Sequence, residues 1–183
     1  MSVWELRCGA VNDHAMLVPA DRRDIARGAF KLTGQPKDWP FRPVAQFAVP
    51  ARKNQKPKPP ANVSEFIPGA LVLDEKARAA LGGFLSRFGE LLELDVDGGF
   101  RYLFNCTRLV ECVDMARSQV HESGVLVLEA FDDAAVPEGA AVFKDPRTAK
   151  VRLYVNDAGR AAIEEAVSAA GIVGVEVGAP RPL

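Results

Sequence analysis

The chain lacks the features that mark exported and membrane-spanning proteins. Its three cysteines are an odd number and none is spaced as C-x-x-C, whereas a secreted protein normally pairs its cysteines. Charged residues at Glu5, Arg7 and Asp13 interrupt the N-terminus, where a signal peptide needs an apolar core. No window contains the ~18 uninterrupted apolar residues of a membrane span. These absences predict reduced thiols, a cytoplasmic location and no membrane partner.

An excess of one charge and clusters of metal ligands are also missing. The 23 lysines and arginines nearly balance the 24 aspartates and glutamates, so no overall field attracts nucleic acid. The two histidines, His14 and His121, are far apart, and no cysteine has a partner at the spacing of a metal site. Neither common glycine-rich phosphate loop occurs. We therefore expect no metal, no cofactor and no nucleic-acid partner.

The most distinctive segment is PARKNQKPKPPAN, residues 50–62, which has four prolines and four basic residues. Proline fixes φ and removes an amide donor, so the segment predicts an exposed loop or linker. It would divide the chain into a strand-rich N-terminal part, residues 1–49, and a C-terminal α+β domain, residues 63–183. We expect Arg52–Pro60 to be mobile or exposed and dispensable for folding, because it has little apolar area to bury.

Residue patterns in the C-terminal part predict mixed helices and strands. Asp74 is a helix cap before an apolar face that runs from Ala77 to Phe88, although Gly82-Gly83 weakens that helix. The DGG at residues 97–99 separates two strand patterns and indicates a β-hairpin. A second helix begins at Asn156 or Asp157 and is closed by Gly171. Without regular βαβ alternation, the pattern predicts an α+β fold, a mostly antiparallel sheet with a few short helices packed on it.

Several short motifs in the C-terminal part occur in a recognisable order. They are Asp74-Glu75-Lys76-Ala77 with Leu81, Tyr102-Leu103-Phe104-Asn105-Cys106-Thr107, Asp114 with Ser118, Val142-Phe143-Lys144, Leu153-Tyr154-Val155-Asn156-Asp157 and Gly171-Ile172-Val173-Gly174-Val175-Glu176. Over residues 63–178 they resemble the Imm-eleven family of immunity proteins from bacterial polymorphic toxin systems, long described as a domain of unknown function. Cys106 departs from the family pattern, in which an apolar residue stands there.

The resemblance implies a cytoplasmic, non-enzymatic protein that binds a cognate toxin and blocks it by occlusion. It implies no particular toxin chemistry and leaves the oligomeric state open. Acidic residues near position 130, including Glu138, are expected at the surface, where they would steer a basic toxin. The candidate toxin contacts are charged residues between positions 108 and 133, namely Arg108, Glu111, Arg117, Glu129, Asp132 and Asp133.

The window from residue 102 to 121 has an alternative, catalytic interpretation. Cys106 or Cys112, with His121 and Asp114, would supply a nucleophile, a base and an orienting group for a small cysteine-dependent hydrolase or transferase. No local cysteine-protease signature surrounds either cysteine, and a free cysteine is commonly a small buried hydrophobe. We therefore favour a structural role and predict no catalytic residue.

The structural interpretation makes three statements about side-chain placement. Phe104 and Cys106 should share one face of a strand, with Leu103 and Asn105 on the other, because side chains alternate along a strand. Asp114 should cap a helical turn that follows this strand. His121 should lie at or near the end of that turn.

Overall fold

The computed structural model describes residues 1–9, 12–50 and 56–182, and in these ranges the chain has an α+β fold with mostly antiparallel strand pairs. The predicted fold class is confirmed. The strands are β1 (Val3–Cys8), β2 (Leu17–Pro19), β3 (Val44–Phe47), β4 (Val63–Ser64), β5 (Leu71–Leu73), β6 (Gly89–Val96), β7 (Gly99–Cys106), β8 (Gln119–Val120), β9 (Leu126–Leu128), β10 (Val142–Phe143), β11 (Tyr154–Asn156) and β12 (Val175–Gly178). The helices are α1 (Arg22–Ala26), α2 (Glu75–Leu85) and α3 (Asp157–Ala170).

The larger sheet has the strand order β2-β3-β6-β7-β5-β4 and is built around the β6–β7 hairpin. The hairpin pairs Gly89 with Cys106 at one end and Val96 with Gly99 at the other. Its two-residue turn places Asp97 and Gly98 at positive φ, 46° and 82°, as the favoured hairpin turn requires. The predicted DGG hairpin is therefore confirmed.

The second part of strand β7, Tyr102–Cys106, is buried on both faces, and its alternation divides the core in two. Phe104 and Cys106 belong to the larger apolar cluster, which includes residues of α2, α3 and the second sheet. Leu103 belongs to a smaller cluster with N-terminal residues, and the side-chain amide of Asn105 donates 2.9 Å hydrogen bonds to Gln35 O and a Glu90 carboxylate oxygen. This is the face assignment that the sequence predicted.

The two longer helices begin where their local signals place them, and α3 also ends at its predicted glycine cap, whereas α2 ends at Leu85, before the predicted apolar face is complete. The Asp74 carboxylate accepts a 2.8 Å hydrogen bond from the Ala77 amide, and the Asn156 side chain accepts one of the same length from Gly159. Gly171 closes α3 in the left-handed conformation, with φ at 59°. Helix α2 continues through its paired glycines. None of the three helices in the described ranges has the length and apolar character that a bilayer crossing requires.

The second sheet has the order β10-β11-β1-β12, so an N-terminal strand lies inside a sheet of C-terminal strands. Strand β1 pairs antiparallel with β11, at Val3–Asn156, and with β12, at Leu6–Val177. The first sheet likewise joins β3 to β6, in a parallel pair. The boundary proposed at the proline- and lysine-rich segment is therefore not a division of the fold, because residues 1–49 complete both sheets.

The exposed loop predicted for the proline- and lysine-rich segment ends two residues earlier than the sequence suggested. Its residues 51–55 lie outside the described part of the chain, and so does the prediction made for them. Lys56–Pro60 is exposed, but the Pro59 carbonyl oxygen accepts a 2.9 Å hydrogen bond from the Ala15 amide. Ala61 is buried and the Asn62 side chain bonds Asp74, so the last two predicted loop residues belong to the packed structure.

Candidate interaction surface

The region that holds the predicted contacts is a two-stranded ribbon, residues 111–133, in which Cys112 and Asp132 are the first residues joined across the two strands. Main-chain hydrogen bonds of 2.8 Å connect Asp114 N to Ala130 O and Asp132 N to Cys112 O. Beyond them β8 and β9 pair with each other as a separate two-stranded sheet, closed by an exposed turn at residues 121–125. Neither strand joins the two larger sheets, so the ribbon presents its tip to the surroundings.

A buried carboxylate anchors the base of the ribbon. Asp145 is fully buried, and its Oδ2 accepts hydrogen bonds of 2.8 Å from the main-chain amides of both Cys112 and Val113. Its Oδ1 accepts from the Arg147 amide at 2.8 Å. Hydrogen bonds donated to a charged acceptor are stronger than neutral ones, so the Asp145 side chain helps to fix where the ribbon leaves the core.

Three of the predicted contacts come together on the ribbon. The Arg117 Nε donates to Asp114 Oδ2 at 2.6 Å, and its guanidinium also bonds the Phe131 carbonyl oxygen. The Asp114 hydrogen bond and charge raise the pKa of Arg117, and the nearby charges of Asp133 and Asp132 add to this. Both of these aspartates are exposed, and the Asp133 side chain is 70% accessible. Arg117, Asp132 and Asp133 therefore form one charged surface.

The next two predicted contacts lie at the base of the ribbon. Arg108 is exposed, with its guanidinium carbon 5.6 Å from the centre of the Phe88 ring. Glu111 is also exposed, at the first residue of the ribbon. Five of the six predicted contacts are thus at the surface, on the ribbon or beside it.

The sixth predicted contact, Glu129, was placed wrongly, because its side chain is fully buried. Its Oε1 accepts 3.0 Å hydrogen bonds from Arg152 Nε and from the Tyr154 hydroxyl. Arg152 also donates to Glu5 at 2.7 Å. Burial alone would lower the pKa of Arg152, but these two carboxylates raise it. Pairing with the buried Arg152 cation stabilises the buried carboxylate of Glu129, which the sequence analysis had expected at the surface.

The buried ionic cluster of Glu5, Glu129 and Arg152 is a feature that the sequence did not indicate. Glu5 and Arg152 are 147 positions apart, and no motif connects them. They meet because β1 lies beside β11, so only the sheet order could have revealed the pairing.

The placement of Asp114 was predicted correctly, and that of His121 was not. The Asp114 carboxylate accepts from the amides of Ala116 and Arg117, at 2.9 and 3.3 Å, and so caps the turn. The turn ends before β8 (Gln119–Val120) begins, and His121 follows that strand. His121 therefore lies at the tip of the ribbon, exposed, with its Nδ1 2.9 Å from the Ser123 hydroxyl.

The two cysteines of the catalytic alternative lie in the protein interior. Burial, as the largest effect, raises the pKa of Cys106 to about 11 and the pKa of Cys112 to about 12. A cysteine nucleophile needs the opposite, a lowered pKa in a partly exposed and electropositive site. In the part of the chain that the structure describes, no group of three or more histidine, cysteine or acidic side chains is arranged to hold a metal ion.

Large apolar side chains are exposed beside the charges of the ribbon. Met115 is 40% accessible, Val120 41% and Val125 60%. Apolar anchors surrounded by charged groups are typical of surfaces that bind other proteins. The chain is thus an α+β protein with an anchored, exposed hairpin that carries charged and apolar side chains.

In comparisons with known proteins, no family model matches this chain and no curated protein matches it. The family resemblance inferred from the short motifs therefore stays a prediction.

Proposed function

We propose that this chain is an immunity protein that binds a cognate bacterial toxin in the cytoplasm and neutralises it by occlusion, without catalysis. Two lines of reasoning support the proposal. The motif order over residues 63–178 resembles the Imm-eleven family, and the ribbon supplies a surface of the kind such a protein needs. The observation that carries the proposal is the ribbon itself, exposed along its charged and apolar side chains and anchored at its base by Asp145.

The ribbon is suited to occlusion because its shape is set before the toxin arrives. Binding costs the entropy of any segment that must become ordered, and main-chain pairing with a buried anchor reduces that cost. A durable complex buries on the order of 1,200–2,000 Å², which the ribbon would share with neighbouring loops. Its carboxylates, Asp133 and Glu111 among them, would speed the approach of a basic toxin surface.

The cysteine-dependent alternative has no observation in its favour. Both candidate thiols are buried with raised pKa values, and the ring of His121 bonds Ser123 at the ribbon tip. A binding protein needs neither a reactive thiol nor a base, so the buried cysteines suit the first proposal as parts of the core.

The experiment is co-expression with the toxin domain of a large multidomain gene encoded beside this one. Rescue of growth and co-purification of the two chains are the expected results. Asp133→Arg should weaken the complex by about tenfold or more, which corresponds to ~1.4 kcal/mol. Glu165→Arg, an identical charge change on the exposed face of α3, is the matched control and should leave binding nearly unchanged.

Failure of rescue and of co-purification with every adjacent toxin candidate would refute the proposal. Equal effects of Asp133→Arg and Glu165→Arg would keep the immunity function but exclude the ribbon as its binding element. Circular dichroism of both variants should show unaltered folding, because each side chain is exposed.

A further inference from the structure

One face of the second sheet carries charged side chains that are mostly buried. Glu5 and Arg7 alternate along β1 and so share a face, and Glu176 lies directly opposite Arg7 in β12. Arg152 reaches the same face from the loop before β11 and joins Glu5 to Glu129 in the buried ionic cluster. Side-chain exposure is 15% or less for Glu5, Arg7 and Arg152. We name this surface the charged face; buried charges of this kind need hydrogen-bond partners from whatever covers them.

The cover is a short segment that follows β12, residues 179–182, which we name the strap. Ala179, Arg181 and Pro182 are exposed and Pro180 is only half-buried, so no side chain of the strap is anchored in the apolar core. Segments with few buried apolar contacts open locally at low cost. The strap can therefore leave the charged face while both sheets stay folded.

The main chain of the strap, more than its side chains, bonds the charged face. Arg7 Nη1 donates to the Ala179 carbonyl oxygen at 3.2 Å, and Arg152 Nη2 donates to the Arg181 carbonyl oxygen. The Arg181 amide donates to Glu5 Oε2 at 3.3 Å. Two residues that are two positions apart thus turn main-chain polar groups to the same side, as alternate residues of an extended strand do.

The balance of charge also specifies what can cover this face. Without the strap it has three carboxylates and only two guanidinium groups, namely Glu5, Glu129 and Glu176 against Arg7 and Arg152. The strap neutralises the excess negative charge, because Arg181 Nη2 bonds both carboxylate oxygens of Glu176, at 2.9 and 3.1 Å. The complementary group is therefore a cation on the residue whose amide and carbonyl oxygen are also bonded.

We infer that the charged face is a binding site for an extended polypeptide segment that carries a cationic side chain, and that the strap is its resident ligand. A segment of this chemistry from a partner protein would displace the strap. An open cleft of about 450 Å³, whose walls include Arg181 and residues 65–70, gives such a segment access. The site is distinct from the ribbon, so the inference does not depend on the proposed immunity function.

A polypeptide fits this face better than a free ion does. Arg7 Nη1 and Arg152 Nη2 require acceptors, whereas Glu5 Oε2 accepts from a donor between them. A peptide backbone supplies carbonyl oxygens and amides at the spacing of alternate residues, which is how an extended segment binds at the edge of a sheet. A lone anion would satisfy the two guanidinium groups but would face the carboxylates.

The strap weakens the binding of any other segment because it is tethered beside the site. A short tether gives an effective concentration on the order of millimolar. For a free segment with a dissociation constant on the order of 0.1 mM, the tethered strap should therefore weaken binding about tenfold. R181E should release the strap, because it places a carboxylate against Glu176 and Glu5.

Fluorescence anisotropy of the full chain with a labelled peptide tests the inference. The peptide is Gly-Ala-Pro-Arg-Pro-Leu, the sequence of residues 178–183, with its C-terminus amidated. R181E should bind it about tenfold more tightly than the unmodified chain does. R22E makes the same charge change at an exposed position outside the site and should bind like the unmodified chain. Circular dichroism should show both variants folded, because both arginines are exposed.

Two altered peptides separate main-chain recognition from attraction between charges. Gly-Arg-Pro-Ala-Pro-Leu has the same composition with the arginine moved, and a second peptide carries a methyl group on the arginine amide, which removes the donor to Glu5. Each should bind R181E about tenfold more weakly than the parent peptide does. Adding E176Q to R181E should also weaken the parent peptide about tenfold, whereas E122Q, at an exposed glutamate of the ribbon tip, should have no effect.

Three outcomes would overturn the inference. The first is no binding of the parent peptide to R181E up to about 1 mM, ten times the expected dissociation constant. The second is equal binding to R181E and to the unmodified chain, because the strap would then not occupy the site. The third is an altered peptide that binds R181E as tightly as the parent, because the face would then not recognise an extended main chain.

Discussion

Replacing Asp145 with alanine should detach the base of the ribbon from the core. The fully buried carboxylate accepts three main-chain hydrogen bonds, from Cys112, Val113 and Arg147. Cys112 is 1% exposed and Val113 6%, so water cannot readily take over their bonds. Arg147 is exposed, and its amide can turn to water instead.

The expected cost follows from the two amides that would stay buried. An unsatisfied buried donor costs about 1–3 kcal/mol, so Asp145→Ala should lower the free energy of unfolding by about 2–6 kcal/mol. For a chain of this length each kcal/mol lowers the midpoint by about 2–4 °C, so a central value near 4 kcal/mol implies a drop of roughly 8–16 °C.

Urea unfolding followed by circular dichroism measures the loss of free energy of unfolding. Amide hydrogen exchange shows which part of the chain is destabilised. Exchange at Cys112 and Val113 should accelerate strongly in Asp145→Ala. The control is Asp132→Ala, whose exposed carboxylate accepts one hydrogen bond, from Ala134, and which should cost about 1 kcal/mol or less. A loss below about 1 kcal/mol for Asp145→Ala, with unaltered exchange at both amides, would refute the role given to this anchor.

Three further variants probe other parts of the structure. Asp114→Ala should cost about 1 kcal/mol in urea unfolding, because it removes a cap; an unchanged midpoint would show that the turn does not need it. Glu129→Gln should cost about 3–5 kcal/mol, because buried Arg152 loses one of its two carboxylates; a loss like that of exposed Glu138→Gln would contradict the cluster. The pKa values of Cys106 and Cys112, raised by burial to about 11 and about 12, keep protons on the folded chain that unfolded thiols release above about pH 8.5. The free energy of unfolding should therefore fall as pH rises above about 8.5. The double variant Cys106→Ala with Cys112→Ala should flatten this decline. A pH profile identical to that of the unmodified chain would contradict this.

The predictions that succeeded concern interactions between residues close together in the chain. Asp74 and Asn156 cap helices three residues away, and the turn at Asp97 and Gly98 closes a hairpin with its immediate neighbours. The alternation along β7 is equally local, because backbone geometry alone sends successive side chains to opposite faces. Such contacts form wherever the chain later packs, so the residue pattern is enough to predict them.

The candidate surface could be predicted only in part. The exposure of Arg117, Asp132 and Asp133 follows from their charge, since isolated charges seldom leave water. His121 was misplaced because a short polar window suits both a helical turn and the tip of a hairpin. Only the pairing of β8 with β9 decides between the two.

The sequence by itself determined the helix caps, the hairpin turn and the alternation of the central strand, because each depends on a few neighbouring residues. The tertiary structure decided that β1 completes the second sheet, that Asp145 holds the ribbon and that Glu129 is buried. A carboxylate is stable in the interior only where a cation or main-chain amides meet it. Those partners are 23 residues from Glu129, at Arg152, and 33 from Asp145, at Cys112, and only folding brings them together.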